Sequence, residues 1–147
     1  MLGLFFEDCY KEFSVREYAR KIKISPPSAS KILKGFEKQG FLIQRSDRGF
    51  LFFRINRDNK IIKEISRIYW EYKLMDLLDC LDREISPKAI VLFGSLSKLE
   101  TREDSDIDIA VFSEIKKRLD LKKFEEKLKR KIQLFFYDSL DKVNTNL

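Results

Sequence analysis

Two aspartates one residue apart, Asp106 and Asp108, open the apolar run that ends at Phe112, and a Gly94-Ser95 pair closes the apolar run Ala89–Phe93 before them. In an extended chain alternate side chains share a face, so the two carboxylates project together from one strand start. Such a pair suits Mg²⁺, a hard cation that keeps several waters and takes its remaining ligands from substrate phosphates. Gly94-Ser95 adds backbone N–H groups and a hydroxyl where a triphosphate could lie, with no side chain at Gly94 to obstruct it. The chemistry on offer is handling of a metal-bound nucleotide.

The elements that must position these groups are an apolar strand, a turn, a short polar excursion and a second apolar strand. The stretch AIVLFGSLSKLETREDSDIDIAVF, Ala89 to Phe112, resembles the nucleotidyltransferase superfamily, in particular its minimal members related to DNA polymerase β and kanamycin nucleotidyltransferase. The resemblance runs from Pro87 to about Leu140 and rests on Gly94-Ser95 followed, at the family's spacing, by Ser105-Asp106-Ile107-Asp108. It implies that Asp106 and Asp108 are catalytic and hold Mg²⁺, and that Gly94, Ser95, Lys98 and Ser105 contact a nucleoside triphosphate.

The sequence departs from the family pattern twice. Active members carry a third carboxylate on a later strand, and the matching run Lys131-Ile132-Gln133-Leu134-Phe135 has Gln133 there. A neutral amide neither ligates a metal as a carboxylate does nor acts as a base. Asp138 has the opposite strand parity and is expected on the other face. Leu99 stands where many members have Gly, and Lys98 replaces an Arg, keeping a cation without the bidentate fork. A scheme with two ions about 3.5–4 Å apart relies on bridging carboxylates, so Gln133 weakens the nucleophile-side metal more than the nucleotide-side one.

Bulk composition excludes several classes. The 147 residues, 44% hydrophobic and with thirteen Phe, can bury a core, and five Gly and three Pro argue against low complexity. No run is apolar enough for a membrane span, and the start MLGLFFEDCYKEF lacks the basic opening of a secretory signal. A cytoplasmic location with reduced Cys9 and Cys80 is expected. With no histidine, His-based triads and histidine zinc sites are excluded.

The net charge of +6 is concentrated in residues 1–60, which hold thirteen Lys and Arg against seven Asp and Glu. That asymmetry points to a polyanion partner. Met1–Tyr10 reads as a short helix. Ser14, with Glu17 three residues on, forms a capping box for a helix over Val15–Ile22. Ser25-Pro26-Pro27 opens another, from Pro26 to Gln39, stopped by Gly40. Two β-like runs, Phe41–Arg45 and Phe50–Asn56, flank the turn Ser46-Asp47-Arg48-Gly49. From Phe13 to Asn56 the residues resemble winged helix-turn-helix regulators of the MarR and ArsR kind. That resemblance implies double-stranded DNA as partner, with Ser25, Ser28, Ser30, Lys31 and Lys34 on the helix side and Arg45 and Arg48 on or beside the wing.

Asn59–Arg83 reads as a long helix with near-heptad apolar residues, which links the two modules and offers a homodimer surface. Ser113–Lys131 reads as a charged helix with a stripe of Leu119, Leu121, Phe124 and Leu128; Ile132–Tyr137 reads as a third strand, and the tail from Asp141 as frayed. The expected fold class is α+β: a winged helix-turn-helix over residues 1–57, a linking helix over 58–86, and a small mixed β-sheet with helices over 87–147. Two functions stand side by side. In one the protein transfers NMP from Mg-NTP to an acceptor hydroxyl. In the other it is a DNA-binding regulator or antitoxin that senses nucleotide or a partner such as a toxin protein without turnover.

Overall fold

A computed structural model describes residues 1–138. It is a mixed α+β protein with two three-stranded sheets and six helices among those residues. Contacts divide the chain into two units, one of residues 1–66 with 99–102, the other of residues 67–98 with those from 103 onward.

The first unit contains α1 (Gly3–Glu7), β1 (Phe13–Ser14), α2 (Val15–Ile22), α3 (Pro26–Lys38), β2 (Leu42–Asp47), β3 (Phe50–Ile55) and the start of α4 (Lys60–Ile85). Local chemistry sets most of these bounds. The Glu17 N–H donates to Ser14 Oγ at 3.3 Å and the Ser14 N–H donates back to Glu17 Oε2 at 2.9 Å, a reciprocal cap. Those bonds from Ser14 hold the Glu17 carboxyl below its ordinary range. Lys23 in the left-handed region ends α2, and Pro26-Pro27 start α3, where a missing N–H is harmless. Asp47 pairs with Phe50, so the hairpin turns on Arg48 and Gly49, both at positive φ as a type I′ turn requires. β1 pairs with the other edge of β3, giving the antiparallel order β1-β3-β2. Phe5, Phe13, Tyr18, Leu33, Phe53 and Ile55 fill the core. Residues 99–102 belong here because the Cys9 N–H donates to the Thr101 carbonyl at 2.8 Å, while the guanidinium groups of Arg57 and Arg102 lie over the Tyr10 ring.

The second unit contains the rest of α4, β4 (Ala89–Phe93), α5 (Gly94–Lys98), β5 (Ile107–Phe112), α6 (Lys122–Leu128) and β6 (Ile132–Tyr137). Its sheet has the order β4-β5-β6, with β4 antiparallel and β6 parallel to β5. A parallel neighbour needs a long crossover, and the segment with α6 supplies it. Trp70, Leu74, Leu77, Leu81 and Ile85 of α4 pack against Ile107, Ile109 and Val111 of β5. The alternation of β5 therefore sends Asp108 to the opposite face.

The charged helix expected over Ser113–Lys131 is confined to Lys122–Leu128. Side chains before it satisfy the backbone in other ways: Ser113 Oγ accepts from the Ile115 N–H at 3.0 Å and Asp120 Oδ1 from the Lys122 N–H at 3.1 Å. Such local bonds compete with helix formation. Lys129, at φ 55, ends α6 short of the expected Lys131. Of the expected stripe only Leu128 is fully buried, with Leu119, Leu121 and Phe124 packed against the core edge. No helix among the described residues is long and apolar enough to cross a membrane. The tail expected from Asp141 lies outside the described residues.

Candidate functional site

Phe93, Asp108 and Gln133 stand in one row across β4, β5 and β6. Asp106 immediately precedes β5, which begins at Ile107. Burial raises the Asp108 carboxyl above its ordinary value of 3.8, and the Asp106 charge raises it further. Two carboxylates thus sit close enough to repel, one of them partly desolvated. Gln133 does not fill the third-ligand role but bridges back: its Nε2 donates to Asp106 Oδ2 at 2.6 Å. Asp138, the other candidate acid, is engaged by Lys116 at 3.0 Å. Among the described residues no cluster of three or more metal-ligating side chains forms.

Gly94 ends β4 and begins α5 with φ +70. A Cβ built there would collide with Asp108 Oδ2 and lie 3.3 Å from its Cγ. Only glycine both adopts this backbone and lets the carboxylate approach. Ser97 Oγ donates to the Gly94 carbonyl at 3.0 Å, and Arg67 of α4 donates to the Ser97 carbonyl at 3.3 Å, so α5 is pinned at two places. Ser95 is half-buried on its first turn, and exposed Lys98 lies on its last. Leu99 follows at φ 60 and is fully buried. A left-handed backbone explains why a glycine would suit that position; for leucine it stores about 1–2 kcal/mol of strain.

Sequence reasoning missed Arg130, which fell within the charged helix expected over Ser113–Lys131. The side chain is 7% exposed, its guanidinium lies 5.3 Å from the Trp70 ring centroid, and Nη1 donates to the Ser105 carbonyl at 2.7 Å. Ser105 is therefore held through its backbone, next to Asp106. The partners lie 25 and 60 positions away, so no local pattern marks this arginine.

The residues assigned to nucleic acid in the first unit fall into three groups. Lys31 and Lys34 are exposed on α3, and Arg48 is exposed in the hairpin turn, while Ser30 is half-buried. Ser25 and Ser28 are bonded to each other: Ser25 Oγ donates to Ser28 Oγ at 2.9 Å and accepts from the Ser28 N–H at 3.3 Å. Arg45 is already neutralised, by Glu12 at 2.8 Å and Asp47 at 3.3 Å, and lies over the Phe52 ring. Its pairing with two carboxylates makes it a weak candidate for a phosphate contact.

Residues 75–146 match the family described as Polymerase beta, Nucleotidyltransferase. The match spans α4 from Met75, both carboxylates and Gln133, so the second unit carries a nucleotidyltransferase-like domain. No curated protein and no solved structure matches the chain.

Proposed function

We propose that this protein is a DNA-binding regulator whose nucleotidyltransferase-like domain binds Mg-NTP, with occupancy and not turnover as the signal. The observation that carries this reading is the 2.6 Å hydrogen bond from Gln133 to Asp106. An amide donor at that position occupies one Asp106 oxygen and removes the base that would activate an acceptor hydroxyl.

The donor set fits one Mg²⁺. Asp106 and Asp108 would hold it, and the ion would neutralise the triphosphate. Everything else falls to the chain. Gly94 lets the Asp108 carboxylate lie against the start of α5, whose N–H groups would meet the phosphates. Lys98 adds a positive point charge. Arg130 fixes the Ser105 carbonyl and with it the entry into β5.

For the first unit, the order of α2, α3 and a β2–β3 hairpin supports a winged helix-turn-helix. In that reading α3 enters the major groove with Lys31 and Lys34, and Arg48 meets the backbone from the turn. The charge excess of residues 1–60 supplies the sequence-independent attraction. A second reading, transfer of NMP to an acceptor, is favoured by the glycine cradle against Asp108.

Incubation with Mg²⁺ and α-labelled NTPs distinguishes the two, beside an Asp106→Asn, Asp108→Asn control. The regulator reading expects nucleotide binding that is lost in the control, without label transfer. Label transfer that the control abolishes would overturn it in favour of the enzyme. For DNA, log affinity falls linearly with log salt, and Lys31→Ala, Lys34→Ala reduces that slope by about 2. Undetectable duplex binding at low salt removes the winged-helix assignment.

A further inference from the structure

α4 is apolar on two opposite sides. On one, Trp70, Leu74, Leu77, Leu81 and Ile85 are buried. On the other, Ile61, Ile65, Ile68, Tyr72 and Met75 succeed one another at alternating steps of four and three residues, the spacing of a heptad seam. Ile61 is 61% exposed, Ile68 65%, Tyr72 73% and Met75 49%; Ile65 is half-buried. Isolated apolar residues on a surface are ordinary, but a continuous row along one helix marks an interaction face.

The geometry points to this seam as a two-fold interface that pairs α4 with α4 of a second copy. A heptad seam is complemented by a helix of the same period, because the side chains of each must enter the spaces of the other at every turn. Among the described residues α4, at 26 residues, is the helix that carries such a row. Self-pairing presents the same patch twice and asks for no further component. Burying the exposed parts of these five side chains removes on the order of 500 Å² from each helix, and about 1,000 Å² for the pair is the size at which a specific interface begins. Asp79, the next position on the seam, ends the apolar row after Met75. The inference is independent of the nucleotide site, whose residues lie on the sheet and α5.

Sedimentation equilibrium of the full chain at about 100 µM tests it. The expected mass is twice the 17.6 kDa of one chain. Ile68→Glu, Tyr72→Glu raises the dissociation constant at least about a hundredfold and gives a monomer with unchanged circular dichroism, since both side chains are exposed. The milder Ile68→Ala, Tyr72→Ala weakens pairing about tenfold. Val91→Lys, which alters a different exposed apolar residue, leaves the dimer intact. A wild-type chain that stays monomeric, including one that forms a one-to-one complex with an unrelated protein instead, overturns the proposal. So does a dimer that survives Ile68→Glu, Tyr72→Glu, or one that Val91→Lys dissociates.

Discussion

Replacing Gln133 by Glu keeps the side-chain shape and exchanges an amide donor for a carboxylate. The variant loses the 2.6 Å bond to Asp106 Oδ2, a hydrogen bond to a charged group worth about 1.5–3 kcal/mol. It also sets two negative charges about 4 Å apart, which costs about 1 kcal/mol in a water-like dielectric and about 4 kcal/mol at an effective value near 20. Gln133 is exposed, so the lower figures apply and the metal-free protein loses about 2.5 kcal/mol. At about 2–4 °C per kcal/mol for a chain of this size, the melting temperature falls by roughly 5–10 °C. Mg²⁺ offsets part of this loss, because three carboxylates would then surround one site. A tenfold gain in affinity returns about 1.4 kcal/mol once the ion is well above its dissociation constant. Differential scanning fluorimetry with and without Mg²⁺ reads both effects. The reasoning is refuted if the metal-free variant melts no lower than wild type, or if Mg²⁺ raises both proteins equally. Label transfer from an α-labelled NTP appearing only in the Gln133→Glu variant would tie the missing carboxylate to the missing turnover.

Gly94→Ala forces Asp108 out of its present position and strains a backbone at φ +70, so nucleotide binding disappears while stability falls by about 1 kcal/mol; titration with a fluorescent NTP checks the first and chemical denaturation the second. Asp108→Asn stabilises the protein at neutral pH. Burial and Asp106 raise the folded-state value of Asp108 above 3.8, so its favourable contribution is complete below pH 3.8 and is lost as pH rises through that raised value. The Asn variant lacks this segment of the pH–stability curve, and an unchanged curve contradicts the assignment. Cys9 is buried and its thiol is pushed up to about 11, so it resists alkylation by iodoacetamide at pH 8, while half-buried Cys80 reacts; equal labelling by mass spectrometry contradicts the burial.

What the sequence disclosed was local. The Ser14/Glu17 cap, the bounds of α2 and the strand Ile132–Tyr137 all rest on spacings of two to four residues, and the structure has them where those spacings put them. The same holds for Gln133 falling in register with Asp108. Interactions over long separations were not legible. That the Gln133 amide reaches Asp106, that Arg130 holds Ser105, and that Arg45 is tied to Glu12 across 33 positions each require the folded chain. The shortened α6 is a different failure. Helical periodicity over Ser113–Lys131 was present, but the Ser113 and Asp120 side chains bonded to the backbone first.

The site combines two features that work against the metal-free fold. Gly94 gives up conformational freedom to sit at φ +70 against Asp108, and Asp108 holds its charge partly buried beside Asp106. A divalent cation relieves the repulsion, yet Gln133 already relieves part of it by donating to Asp106. In the proposed site, Asp106 and Asp108 would hold Mg²⁺ with most of its remaining ligands being water, so Mg²⁺ alone would gain little. A triphosphate alone fares worse, since it brings its negative charge against two aspartates. If the proposed reading holds, phosphates would supply ligands the carboxylates leave open and the ion would screen the carboxylates. Mg²⁺ and NTP must therefore bind cooperatively, and by linkage each strengthens the other by the same factor. The expected result is a thermal shift with both present that exceeds the sum of the separate shifts. Additive shifts would mean that nucleotide and ion occupy different places, and that Asp106 and Asp108 are not where they meet.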